Sequence, residues 1–225
     1  MKKLLLLLLP LALVPAWAGG FFDDFDGEDL GSHWRFGNPK GTMRYMVHDS
    51  LLEVYGFAGF GSREWIYAHI ARYTDFDMRA IVGWRAGNAR EGLFVMVEND
   101  FPVDSPTAFL GFARTPEGNR TTNRIRAGFR DGPQTEIDGP GTGFHEFRLT
   151  RSAGVFSAYF DGELILRGGG TSEQPAKLTL LFSGDRQSLP VSLMVDRVSV
   201  VPEPASVGFL AVALAALAMG RRRIR

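Results

Sequence analysis

Between residues 19 and 204 no long stretch repeats its apolar residues every three to four positions. Short runs of aromatic and β-branched residues recur instead, parted by Gly, Pro, Asp and Asn at intervals of roughly 8 to 12 residues. This is the punctuation of an all-β chain. In "HEFRLTRSAGVFSAYFDGELIL" Phe147 and Leu149 alternate with Glu146 and Arg148, Ser152 to Gly154 turn, and Val155 to Phe160 return. Asp161-Gly162 supplies a second tight turn, because glycine accepts the positive φ that such a turn requires. "DFDMRAIVGWRAGNAREGLFVMVEND" predicts a strand over 75–84, a Gly/Asn loop and a strand over 92–98. "KLTLLFSGD" and "VSLMVDRVSVV" add two more. About twelve strands with no crossover helix predict two packed antiparallel sheets, a sandwich or jelly roll. In the strand over 75–84, Phe76, Met78, Ala80, Val82 and Trp84 share one face, which assigns Trp84 to the core; Trp34 is also expected inside.

Both ends break this pattern. Lys2 and Lys3 precede an apolar block from Leu4 to Val14, and "AWA" at Ala16 to Ala18 places small residues around a cut after Ala18, which predicts a secretory signal peptide over 1–18. At the other end the run 205–220 carries no charge, and its length as a helix is roughly 24 Å against a hydrocarbon core of roughly 30 Å. Arg221, Arg222, Arg223 and Arg225 follow, and they assign that end to the cytoplasm. The body between the two is then expected outside the inner membrane. Pro202 and Pro204 lack backbone donors, so "VPEP" is expected to stand clear of strand and helix alike.

Pro202-Glu203-Pro204, a short Ala/Leu/Val helix and a terminal arginine cluster, taken together, resemble the PEP-CTERM sorting signal of Gram-negative bacteria. The resemblance covers residues 201–225. It implies a single transmembrane helix over 205–220, recognition by an exosortase (a membrane cysteine transpeptidase), processing near the tripeptide, and delivery to the cell surface or extracellular matrix, often beside exopolysaccharide.

Charge sharpens the picture. Six of the 25 basic residues lie in the terminal segments, which leaves 19 against 25 acidic residues and about −6 on a chain that is neutral overall. That balance argues against nucleic acid as a partner. The 186 residues from 19 to 204 suffice for one domain that buries about 70 per cent of its extended surface. No cysteine occurs, so disulfides and thiol nucleophiles are excluded.

"FFDDFDGEDLGSHWRF", "HEFRLTRSAGVFSAYFDGELI" and the closing "VDRVSV" resemble the concanavalin A-like lectin/glucanase sandwich, which includes laminin-G-like modules, over about residues 21–201. In that fold the first and last strands are expected to pair, with Phe22 and Phe25 beside Val195 and Val198. Glucanases of the fold carry Glu-x-Asp-x-Glu or Glu-x-Asp-x-x-Glu on one strand, where alternate residues aim nucleophile, supporting Asp and acid into a single cleft. Glu136 and Asp138 begin such a motif, but Pro140 and Gly141 stand where the acid belongs, so the pair is assigned to a loop. Glu98 and Asp100 fail in the same way before Pro102, at a strand end. No catalytic residue is therefore assigned.

His33, His48, His69 and His145 lack ligand-like spacing, so no metal site or cofactor is expected among them. The acidic run Asp23, Asp24, Asp26, Glu28 and Asp29 admits two readings, oxygens for a structural calcium or a charged first strand and turn. Trp65, beside Arg63 after a glycine-rich loop, is the candidate for a ring that stacks on a pyranose. The expectation is an exported carbohydrate-binding or structural module, with extracellular polysaccharide, signal peptidase and exosortase as partners. The alternative is a glycoside hydrolase, or an enzyme like the 3-keto-disaccharide hydrolases that share the sandwich.

Overall fold

The computed structural model describes residues 20–37, 43–56, 62–68, 74–85, 91–98, 108–117, 120–129, 132–169, 177–184 and 191–202. The signal segment 1–18, Glu203, Pro204, the run 205–220, the terminal arginines, His69 and Asp100 lie outside them. Fifteen strands occur among the described residues: β1 (Phe21–Asp23), β2 (Trp34–Gly37), β3 (Met43–His48), β4 (Leu51–Gly56), β5 (Ser62–Ala68), β6 (Phe76–Trp84), β7 (Glu91–Glu98), β8 (Ala108–Glu117), β9 (Arg120–Phe129), β10 (Gln134–Asp138), β11 (Gly143–Ser152), β12 (Val155–Phe160), β13 (Glu163–Gly169), β14 (Lys177–Gly184) and β15 (Val191–Pro202). They form two antiparallel sheets. One runs β13-β12-β11-β6-β15-β4-β3 with β1 beside β15, and the other runs β10-β9-β8-β7-β14-β5-β2. The predicted two-sheet sandwich is thus observed, with short strands such as β1 and β2 raising the number above twelve.

Alternation builds the core. Phe76, Met78, Ala80, Val82 and Trp84 of β6 all face inward, as their spacing predicts, and meet Leu93 and Val95 of β7, Leu110 and Phe112 of β8, and Leu180 and Phe182 of β14. Trp84 lies flat on Phe112, centroids 4.0 Å apart and planes 9° from parallel, which joins the two sheets through one aromatic stack. The hairpin β11-β12 turns at Ala153-Gly154 with both φ angles positive, and Asp161-Gly162 repeats that geometry between β12 and β13.

The first and last strands pair as expected, but the detail differs. Phe22 faces Ser199 rather than a valine and is 61% exposed. Phe25 leaves the strand altogether with φ 53°, and its ring is buried against Trp34. The cause is Asp23. Its Oδ1 accepts the backbone N–H of Phe25 at 2.8 Å, which bends the chain, while Oδ2 accepts the buried indole N–H of Trp34 at 2.6 Å and bonds His33 Nε2 at 2.6 Å. A second departure lies at the far end, where β15 includes Pro202 opposite Phe76. Proline is compatible with a strand's last residue, where its missing donor costs nothing, so "VPEP" does not stand wholly clear of the sheet as expected.

Replacing Asp23 by Ala strands the Trp34 indole N–H and the Phe25 amide without acceptors. Equilibrium denaturation is expected to show a loss of about 2 to 4 kcal/mol; a change below 0.5 kcal/mol would contradict this account of the first strand.

Candidate functional site

Because side chains alternate along a strand, the inward residues of β7, β8 and β14 fix the outward ones: Gly92, Phe94 and Met96; Phe109, Gly111 and Ala113; and Leu181. Phe94, Met96, Phe109 and Leu181 form a second, smaller apolar cluster on that outer face, with the two phenylalanines half-buried. Glycine makes the arrangement possible. A Cβ on Gly111 would stand 2.5 Å from Phe94 Cγ, and one on Gly128 would stand 2.6 Å from Phe109 Cε1, so each ring reclines on a neighbouring strand where a larger residue would lift it off.

Register extends this face across the sheet. Trp65 of β5 pairs with Leu181 of β14, Leu181 with Phe94 of β7, Phe94 with Gly111 of β8, Gly111 with Arg126 of β9, and Arg126 with Glu136 of β10. The next row reads Arg63, Ser183, Gly92, Ala113, Arg124, Asp138. The residues singled out as a sugar-binding pair and as an incomplete acidic motif therefore occupy the same two rows of one sheet. The structure describes the backbone of β5 but not its side chains, so Trp65 and Arg63 are placed by register alone. Phe94, Phe109 and Arg126 were not singled out from the sequence; alternation in "GLFVMV" hints at Phe94, but its row depends on pairings far apart in the chain.

The acidic pair needs correcting. Glu136 and Asp138 lie on strand β10, not in a loop, since β9 pairs with the whole of Gln134–Asp138 before the Gly-Pro-Gly turn begins. Each carboxylate is held by the guanidinium directly opposite, Glu136 by Arg126 and Asp138 by Arg124, with Arg124 also 3.5 Å from Glu136. Both pairs are solvent-exposed. Glu98 ends β7 opposite Lys177, as a strand-end residue should.

The described histidines are engaged separately: His33 with Asp23, His48 with Glu53 at 3.0 Å, and His145 with Asp161 at 2.8 Å. No group of three potential metal ligands occurs among the described residues. Of the acidic run, Asp23 spends both oxygens on protein donors, while Asp29 Oδ1 accepts from the Leu30 amide and the Tyr45 hydroxyl. Burial also perturbs charge beneath the face. Glu91, on the inward side of β7, is paired with Arg114 directly opposite on β8, and Arg114 also donates to Asn123 and to the Arg85 carbonyl. Desolvation pushes the Glu91 carboxyl up to about 7, against the opposing pull of Arg114 and of the Ser192 amide.

No protein-family model matches the chain, and no curated protein matches it in sequence. Solved structures do. The chain is similar to the GlcNAcα1-4Gal-releasing endo-β-galactosidase of Clostridium perfringens at 16% identity and TM-score 0.56, covering 83% of this chain and 62% of that one. The chain thus spans less than two thirds of that enzyme's length. It is also similar to the endo-β-1,3-glucanase of Pyrococcus furiosus, at 11% identity and TM-score 0.58 over 81% of this chain and 93% of that one. A third match is the CBM2 module of the evolved Dit of Lactobacillus casei BL23 phage J-1, at 11% identity and TM-score 0.60 over 80% and 93%. At such identities the likeness is one of fold alone: these proteins share the two-sheet antiparallel sandwich described above.

Because the raised Glu91 binds its proton more tightly folded than unfolded, its contribution to stability is complete below about pH 4.5 and is lost as pH climbs through about 7. The decline amounts to about 3 kcal/mol. His48, raised by its bonds to Glu53 and Asp49, acts in the same direction. Denaturation curves collected from pH 4.5 to 8 should therefore fall for the native protein and flatten for Glu91→Gln; parallel profiles would refute the assignment.

Proposed function

We propose that the protein engages a polysaccharide across the outer face of its seven-stranded sheet. The observation that carries this is the row from Trp65 through Phe94 to Arg126, in which a reclining ring, polar hydrogen-bonding groups and an aromatic register position share one face. Such faces suit sugars, whose apolar ring faces stack on aromatic side chains while their hydroxyls pair with Arg, Asn and carboxylates.

Whether the bound glycan is also cleaved divides two readings. The endo-β-galactosidase and the endo-β-1,3-glucanase among the neighbours are glycan-cleaving enzymes by name, and they favour the hydrolase alternative over a non-catalytic module. The described side chains favour binding. Among the described side chains of β7 and β8 this face presents the half-buried Phe94 and Phe109, with Met96, Gly111 and Ala113 buried beside them, whereas hydrolysis needs two carboxyls about 5 Å apart or, for inversion, roughly 6.5 to 9.5 Å. Glu136 and Asp138, on the edge strand β10, are committed to arginines, and Glu98 ends the central strand β7. We therefore conclude for glycan binding without turnover, with Glu98 and Glu136 as the groups any hydrolysis would require. Incubated with matrix polysaccharide, the protein is expected to be retained without releasing new reducing ends. Release that disappears in Glu98→Gln or Glu136→Gln would establish the enzyme reading instead.

We further propose that residues 1–18 direct export and that Pro202, Glu203, Pro204 and the arginines 221–223 form an exosortase signal, which delivers the sandwich from the periplasmic face of the inner membrane to the cell surface or matrix. The apolar run between tripeptide and arginines supports this reading. Mass spectrometry of the exported protein should find a C-terminus near Glu203 or Pro204, and finding Arg225 there would dismiss it.

A further inference from the structure

Charge and spacing on this face together define the glycan more closely, if the face is the binding site as proposed above. Neighbouring strands lie about 4.8 Å apart, so Trp65, Phe94 and Arg126, each two strands from the next in one row, recur at roughly 10 Å. An extended glycan in which consecutive rings face opposite ways presents the same ring face at every second sugar, and a disaccharide spans about this length. Lying across the strands, such a chain offers equivalent faces at the register positions of Trp65 and Phe94, and its next repeat reaches Arg126.

The chemistry at that third position is cationic. By register Arg35, Arg63, Arg120, Arg124, Arg126 and Lys177 hold outer-face positions of this sheet, against Glu98, Glu117, Glu136 and Asp138. A sandwich with six more acidic than basic residues thus turns a basic excess toward this one face. Arg126 is 46% exposed and its partner Glu136 42% exposed. Pairs so open to solvent are held weakly, and a guanidinium readily exchanges one carboxylate for another that it grips with two parallel hydrogen bonds.

We propose that the ligand is an anionic polysaccharide bearing one carboxylate per disaccharide repeat, stacked on Phe94 and paired through that carboxylate with Arg126. Glu136 then serves as the internal competitor, holding the guanidinium until the glycan carboxylate replaces it.

Affinity electrophoresis of the full protein in hyaluronan, whose disaccharide repeat carries one carboxylate, and in the same polymer with its carboxyls reduced to alcohols, tests this. The native polymer is expected to retard the protein at least tenfold more strongly than the reduced one. Arg126→Gln should erase that difference by lowering affinity for the native polymer to that for the reduced one, and Glu136→Gln should strengthen binding of the native polymer severalfold. Phe94→Leu, which keeps the volume and removes the ring, should weaken both. Equal retardation by native and reduced polymer, with both lost in Phe94→Leu, overturns the anionic assignment and leaves the binding face standing. Binding of either polymer that is indifferent to Phe94→Leu overturns the face itself. A preference for the native polymer that survives Arg126→Gln, or no retardation by either polymer, overturns the proposal.

Discussion

The stack of Trp84 on Phe112 is the contact from which the outer face follows. It couples β6 of one sheet to β8 of the other at 4.0 Å, and by turning Phe112 inward it fixes the parity of β8. Alternation then leaves Gly111 and Ala113 pointing out, and the bare backbone at Gly111 is what lets Phe94 recline. A shift of β8 by one residue would present Leu110 and Phe112 to solvent and bury a glycine in the core, a register error that the sandwich resists at every buried aromatic. The aromatic floor outside is thus a consequence of the aromatic joint inside. Loss of the ring in Phe112→Ala would remove about 3 to 5 kcal/mol and release this constraint.

Electrostatics divide along the same surface. Beneath the face Glu91 and Arg114 are almost wholly buried, where each is tolerable because the other is present and because Arg114 finds two further acceptors. Above it, the Arg–Glu and Arg–Asp pairs of β9 and β10 sit in water and contribute little to folding. The buried pair is a fixed element of structure and the exposed pairs are exchangeable ones. That contrast, more than the number of charges, sets β9 and β10 apart from the strands beneath which the buried pair lies.

Strand content and core parity were legible in the sequence because they are local: β6 reads correctly from five alternate apolar residues, and the hairpin β11-β12 from its turn. Fold class followed, and the placement of Trp34 and Trp84 with it. Three features were not local. Phe25 turns inward because a carboxylate two residues earlier captures its amide, a competition that hydrophobic pattern alone does not reveal. Glu136 and Asp138 were misread because the glycine and proline that follow belong to the next turn, while the strand is set by pairing with β9. The row itself joins Trp65 to Leu181 across more than a hundred residues, and no spacing in the sequence announces that Trp65, Phe94 and Arg126 stand in line.

The pairing of β1 with β15 brings the two ends of the described sandwich together. Phe21 faces Val200, so the residue where the sandwich begins lies beside the strand from which the proposed sorting tripeptide departs. Pro202 is still paired, opposite Phe76, as the last residue of β15. Because Pro202 contributes no backbone donor, it can add no ladder bond of its own through nitrogen, and β15 ends there without an unsatisfied N–H.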